Sequence, residues 1–176
     1  MVEIHTQPIN LNVMHSTGFR FFIKKLPMTN FFTQNINIPG KKITFTTQPT
    51  PNHDIPIWGN KLIYNDLTVT FVIDEDLKNY YELSEWLDGI GKPESFRERQ
   101  ILNARERIYE GILSDCIISI PTNTKNPNIV FTVKDAFPTS ISDLVFSSTQ
   151  TAEEHLVATA TFKFASIKME RIFNET

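Results

Sequence analysis

Cysteine is nearly missing: Cys116 is the only one in 176 residues, so no internal disulfide closes the fold. Its setting in CIISI reads as a small buried apolar residue. Glycine is scarce, six in all, and the glycine-rich loops that bring backbone N–H groups to a phosphate (GxxxxGK[ST], GxGxxG) are absent, as is the GxSxG nucleophile elbow. The nearest stretch, Gly89-Ile90-Gly91-Lys92, follows a helical pattern where a phosphate loop would precede one, and reads as a helix end. No apolar run approaches the ~20 residues a membrane helix needs. The opening MVEIHTQPIN lacks the basic start and apolar core of a secretory leader, so the expectation is synthesis and residence in the cytosol, with no membrane partner. Lysine and arginine (17) are outnumbered by aspartate and glutamate (20), and no basic cluster tracks a phosphate backbone, which disfavours tight nucleic-acid binding.

Metal and acid–base chemistry find equally little. His5, His15, His53 and His155 stand apart, without metal-ligand spacing. Asp54 follows His53, but adjacent residues of an extended segment point to opposite sides, so a solvated loop is expected there. Asp74, Glu75 and Asp76 lack the spaced ligands and turn glycine of a calcium loop and read as charge at a helix start. Trp58 and Phe22 are conceivable sugar platforms with nothing to support them. No cofactor and no enzymatic activity are expected.

Phenylalanine is plentiful, with 14 copies, and it falls in period-two patterns. Phe19–Lys25 and Phe31–Ile38 read as a β-hairpin around Pro27, and 43–47 (ITFTT) as a further strand. Residues 48–59 (QPTPNHDIPIWG) hold three prolines and read as an extended arm. Leu67, Val69, Phe71 and Ile73 share one face of a central strand; Thr68, Thr70 and Val72 share the other. Leu77, Tyr80, Leu83, Trp86, Leu87 and Ile90 recur at helical spacing, with Asn79 and Glu82 at capping-box distance. The charged segment 94–110 suits a surface helix or ordered loop. Strands are predicted at 117–120, 129–133 and 141–146, and over 156–167 (LVATATFKFASI) a single strand of ~12 residues, longer than the usual five or six. There Leu156, Ala158, Ala160, Phe162 and Phe164 face one way, and Val157, Thr159, Thr161, Lys163 and Ala165 the other. The fold class expected is mainly β with one packed α-helix, in a single domain spanning 1–176, with 1–18 as an N-terminal extension.

The order of these elements resembles the tail-tube proteins of contractile-tailed, T-even-like bacteriophages. The resemblance rests on Ile38-Pro39-Gly40, the proline-rich arm, the strand and acidic pair Leu67–Glu75, the helix bearing Trp86, and the passage Ala136-Phe137-Pro138-Thr139-Ser140 leading to Leu144. It runs from Phe19 to Met169 and is carried by order and patterning. The 1–18 extension and 94–110 find no match in it.

That resemblance implies an antiparallel sandwich or barrel whose strands join an inter-subunit β-barrel in a ring of six, the rings stacking into a conduit for genome ejection in the virion tail. A specialised ring, the baseplate initiator or neck terminator, is the alternative; a monomeric β-sandwich binding module is the alternative from another class. In the tube reading, Leu67, Val69, Phe71, Ile73, Leu83, Trp86, Phe162 and Phe164 form the core. Thr68, Thr70, Thr159, Thr161 and Lys163 line the lumen, past which DNA moves in transit without specific binding. Ile55, Ile57 and Trp58 anchor the arm on a neighbour, and Glu94, Arg97, Glu98 and Arg99 face the sheath. Implied partners are further copies of the chain, the tail sheath protein, the tape measure protein, and baseplate hub or neck proteins.

Overall fold

The computed structural model describes residues 12–91, 112–147 and 155–172. The segment 94–110 with its charged residues, the first 11 positions of the N-terminal extension, and His5 lie outside the described residues. The element order is β1 (Arg20–Ile23), α1 (Pro27–Phe32), β2 (Thr33–Ile36), β3 (Lys41–Gln48), β4 (Ile55–Tyr64), β5 (Leu67–Val72), α2 (Lys78–Gly91), β6 (Ser114–Pro121), β7 (Pro127–Ile141), β8 (Val157–Lys163) and β9 (Ser166–Arg171). β1, β6, β7, β8, β5 and β2 follow one another in a single antiparallel path, with β9 added to β7. β3 and β4 pair only with each other.

β5 alternates fully buried Leu67, Val69 and Phe71 with partly exposed Thr68, Thr70 and Val72. Its register partners on β8 alternate in step, so Phe162, Ala160 and Ala158 are buried opposite them. Burying one large apolar side chain contributes about 1.5–3 kcal/mol. α2 closes this face: Leu83 is inaccessible, the Trp86 ring lies 6.2 Å from that of Phe162, and its indole N–H donates to the Ile112 carbonyl at 2.9 Å. Ile73 and Phe164 pack on the margin of the same core.

Several strand boundaries differ from those expected. The supposed hairpin of Phe19–Lys25 with Phe31–Ile38 does not form: β1 pairs with β6, β2 pairs with β5, and a helical turn lies between. Pro27 supplies the preset φ of a first helical position. The Asn30 amide then accepts from the Ile23 N–H (2.9 Å) and donates to the Ile23 carbonyl (3.0 Å), imitating a strand partner at the end of β1. Phe31 and Phe32 therefore belong to α1, with Phe31 left exposed.

The long strand is β7, 15 residues, and not the final segment. β7 joins what was read as 129–133 to Ile141, and no strand covers 142–146. It bends at Asp135, where φ is 56° and the backbone N–H donates to the Asp115 carboxylate at 3.1 Å. The register with β6 shifts at that point and its pairing ends at Ala136. The 156–167 stretch is interrupted at Phe164-Ala165 between β8 and β9, yet both pair with β7 in one continuous register, from Lys134 opposite Ser166 to Phe137 opposite Lys163.

The capping box is also not built. α2 starts at Lys78, with Asp74, Glu75 and Asp76 in the turn before it. Asn79 is buried, accepts from the Tyr80 N–H (2.8 Å) and donates to the Val72 carbonyl (2.7 Å), tying the helix to the end of β5. Glu82 instead takes the Met28 N–H at the start of α1, and its Oε2 is shielded without a partner among the described residues. Gly89 and Gly91 lie within α2, and Gly89 is buried.

Burial holds the Glu82 carboxyl above its ordinary value of 4.5, with the Glu85 charge adding and the Met28 N–H opposing. A raised carboxyl pKa favours the protonated folded form, so its ionisation removes stability as pH climbs through the folded value. Glu82→Gln is expected to melt higher than the parent at pH 7, with the gap closing below about pH 4, where the parent carboxyl is protonated folded and unfolded alike. Melting curves across that range test it, and a lower melting point at pH 7 contradicts it. Burial likewise pushes the Cys116 thiol up to about 12, so a thiol reagent at pH 8 should label the native chain only as fast as it unfolds.

Candidate assembly surfaces

Two surfaces stand out. The first is the β3–β4 hairpin. Strand period places Ile43, Phe45, Trp58 and Leu62 on one side, with Phe45 opposite Trp58 and Ile43 opposite Leu62. Ile55, Ile57 and Ile63 take the other side. Trp58 is 80% exposed and Phe45 72%, and every other apolar residue just named on the hairpin is also exposed. A two-stranded ribbon is marginal in water by itself, and this one shows apolar side chains on both sides.

The proline-rich stretch is thus an extended arm whose second half is strand β4. Pro56 lies within β4 opposite Thr47, and only 49–54 form the connecting tip, where the Thr50 hydroxyl bonds to the His53 carbonyl. The three residues read as joint anchors are split: Ile55 and Ile57 point one way and Trp58 the other. Sequence reading passed over Phe45, Ile43 and Leu62, which ITFTT and NKLIY contain; a two-stranded register was needed to see that they accompany Trp58. At its root the hairpin is tied by the Asn65 N–H to the Gly40 carbonyl (3.0 Å), by Lys41 over the Tyr64 ring, and by Tyr64 against Phe164 at 5.4 Å.

Between Ile43 and Phe45 the register shifts, because Gly59, Asn60 and Lys61 bulge opposite Thr44. A Cβ on Gly59 would lie 2.8 Å from the Thr44 carbonyl oxygen and 2.5 Å from its hydroxyl, closer than real contacts allow.

The second surface is the outer side of β2, β5, β8 and the last part of β7. Thr68 stands opposite Thr161 and Thr70 opposite Thr159, whose hydroxyls meet at 3.3 Å. Ser140 beside Thr161 and Asn35 beside Thr70 extend this face beyond the four threonines and Lys163 named from the sequence. Asn37 binds the Thr68 backbone both ways, its N–H donating to the carbonyl (3.1 Å) and its Oδ1 accepting from the N–H (2.6 Å). Lys163 lies at the margin, its charge matched by Asp66. The surface is flat, hydroxyl- and amide-rich and close to neutral. Among the described residues no cluster of His, Cys, Asp and Glu is arranged to hold a metal ion, and no helix is long and apolar enough to cross a membrane.

A family model for phage tail tube proteins matches residues 1–170. The chain belongs to the phage tail tube protein family. As such it is a structural component of the phage tail, and its place is the virion tail. The tail tube terminator protein of Enterobacteria phage T4 is 27% identical over 168 residues, covering 91% of this chain and 90% of the relative. Among solved structures, the tube-terminating cap of the anti-feeding prophage aligns at a TM-score of 0.60 with 16% identity, over 97% of this chain and 99% of that one. The sheath/tube terminator of the extracellular contractile injection system PVC aligns at 0.57 with 15% identity, over 93% and 99%. These likenesses establish a tube-type, mainly antiparallel fold for this tail tube protein.

Gly59→Ala should disorder the hairpin while leaving the rest of the tail tube fold intact. The expected outcome is faster proteolytic cleavage within 41–64 at an unchanged main melting temperature; a hairpin as resistant as the parent's overturns the close-approach argument.

Proposed function

We propose that this chain is a ring-forming subunit of the tail tube and acts as its terminator, capping the tube where polymerisation stops. The observation that carries the ring reading is the β3–β4 hairpin, apolar on both sides and paired with no further strand among the described residues. Such a ribbon is stable only when other chains cover it. The terminator assignment is supported by likeness over nine-tenths of the chain to the T4 tube terminator. Fold similarity to two other tube-terminating proteins agrees with it.

In this reading six copies close a ring with the hydroxyl face inward. β2 (Thr33–Ile36) borders one side of that sheet, and the last part of β7, from Phe137 to Ile141, borders the other, pairing with β8 among the described residues. Joining β2 of one copy to β7 of the next would remove both edges, as barrel closure requires. β8 lies between β5 and β7, so neither of its edges is free to join another copy. A near-neutral wall of Thr68, Thr70, Thr159, Thr161, Ser140 and Asn35, with Lys163 compensated by Asp66, lets DNA pass without the counterion release that would retain it. The sheath outside the ring, the tape measure protein within it, and neck proteins above it complete the set of partners.

Negative-stain imaging of the purified chain tests this. Discrete rings of constant diameter that do not elongate with concentration are the expected result. Long tubes would mark a main tube subunit instead, and dispersed monomers at every concentration would reject ring formation.

A further inference from the structure

The hairpin presents a protruding aromatic pair, and a matching depression lies elsewhere on the same chain. We propose that Trp58 of one copy seats in the depression at the far end of β5 of the next copy, a head-to-tail contact between identical chains that rests on the ring-forming reading. The depression measures about 290 Å³, with Ile73, Leu77, Phe146 and Leu156 as its apolar wall and Asp74 and Glu75 on its rim. A cavity of about 150 Å³ lined by apolar residues holds a benzene ring, so this one has room for a bicyclic indole. Phe146 is 70% exposed where it borders the space.

Charge agrees with shape. Residues 41–64 carry Lys41, Lys42 and Lys61 against a single acid, Asp54, while the depression presents Asp74 and Glu75. Opposite potentials across a contact steer encounter and set register. Position agrees too. The hairpin joins the body just before Leu67, and the depression begins at Ile73, beyond the last β5 residue, Val72. Six strand residues place these features about 20 Å apart. Projection and receptor are different surfaces at opposite ends of one strand, so the contact is heterologous and propagates from copy to copy.

Leu77 adds an independent sign. Its φ is 57°, a left-handed conformation that a leucine adopts only under constraint, and its side chain lines the open depression. Glycine accepts that conformation without strain. Leu77→Gly therefore removes one wall of the receptor while easing the backbone.

The test uses the full chain. Trp58→Ala and Leu77→Gly, each alone, should weaken self-association at least 10-fold by sedimentation velocity. Mixed in equal amounts they should recover 1:1 complexes, because the Trp58 of one variant meets the intact receptor of the other. Glu75→Lys, in an exposed turn, should also weaken assembly, which keeps the proposal falsifiable if Leu77→Gly fails to fold. Assembly of Trp58→Ala, or of folded Leu77→Gly, at the parent's affinity overturns the contact, as does a mixture that stays monomeric. Parent rings that persist in the variants reject this contact alone, whereas a parent that never associates removes the ring reading with it.

Discussion

The pairing of β5 with β8 is the interaction on which the rest of this molecule depends. Six consecutive register pairs, from Leu67 with Phe162 to Val72 with Val157, sort side chains by parity. One parity is dry and apolar; the other carries the threonines. A slip of one residue would put Phe71 in water and Thr70 in the core, so burial enforces the register over its full length. α2 covers the apolar side, and β2 and β7 extend both sides, with Ile36 and Ile141 on the core and Asn35 and Ser140 beside the threonines.

β5 also organises what lies beyond the sheet. Its first residue receives the β3–β4 hairpin and its last leads into the turn of Asp74–Leu77, where Asn79 fastens the helix to the Val72 carbonyl. The core thus holds two surfaces apart at a set distance: a ribbon that lacks cover and a depression that lacks contents. In a structural component of the phage tail, exposed apolar side chains at such places are where contacts with other chains can form. The hydroxyl face is the other feature that β5 and β8 set, with small uncharged side chains and the Lys163–Asp66 pair at its margin.

Much of this was legible in the residues. The Leu67–Ile73 alternation, the spacing from Leu77 to Ile90, and the parity of 156–163 each report a strong local period, and the order of elements was enough to suggest the tail tube family. What misled were places where one local signal had two meanings. FFTQNINI alternates weakly enough to pass for a strand, yet Pro27 and the Asn30 bonds to Ile23 make its start helical. Three prolines marked an extended arm but hid its pairing: Pro56 sits in β4 opposite Thr47, tolerated because a two-stranded ribbon has edges on which a missing N–H costs nothing.

By itself the sequence determined which residues are apolar on one side of each strand, because side-chain parity is a local property that burial then exploits. Tertiary structure alone decided which strands meet, since pairing depends on bends with no local signature. At Asp135 the register of β7 with β6 slips, and the Asp135 N–H is held by Asp115, twenty positions away. The same holds for the hairpin: Phe45 stands opposite Trp58 only through a bulge at Gly59, and no period in either strand announces it.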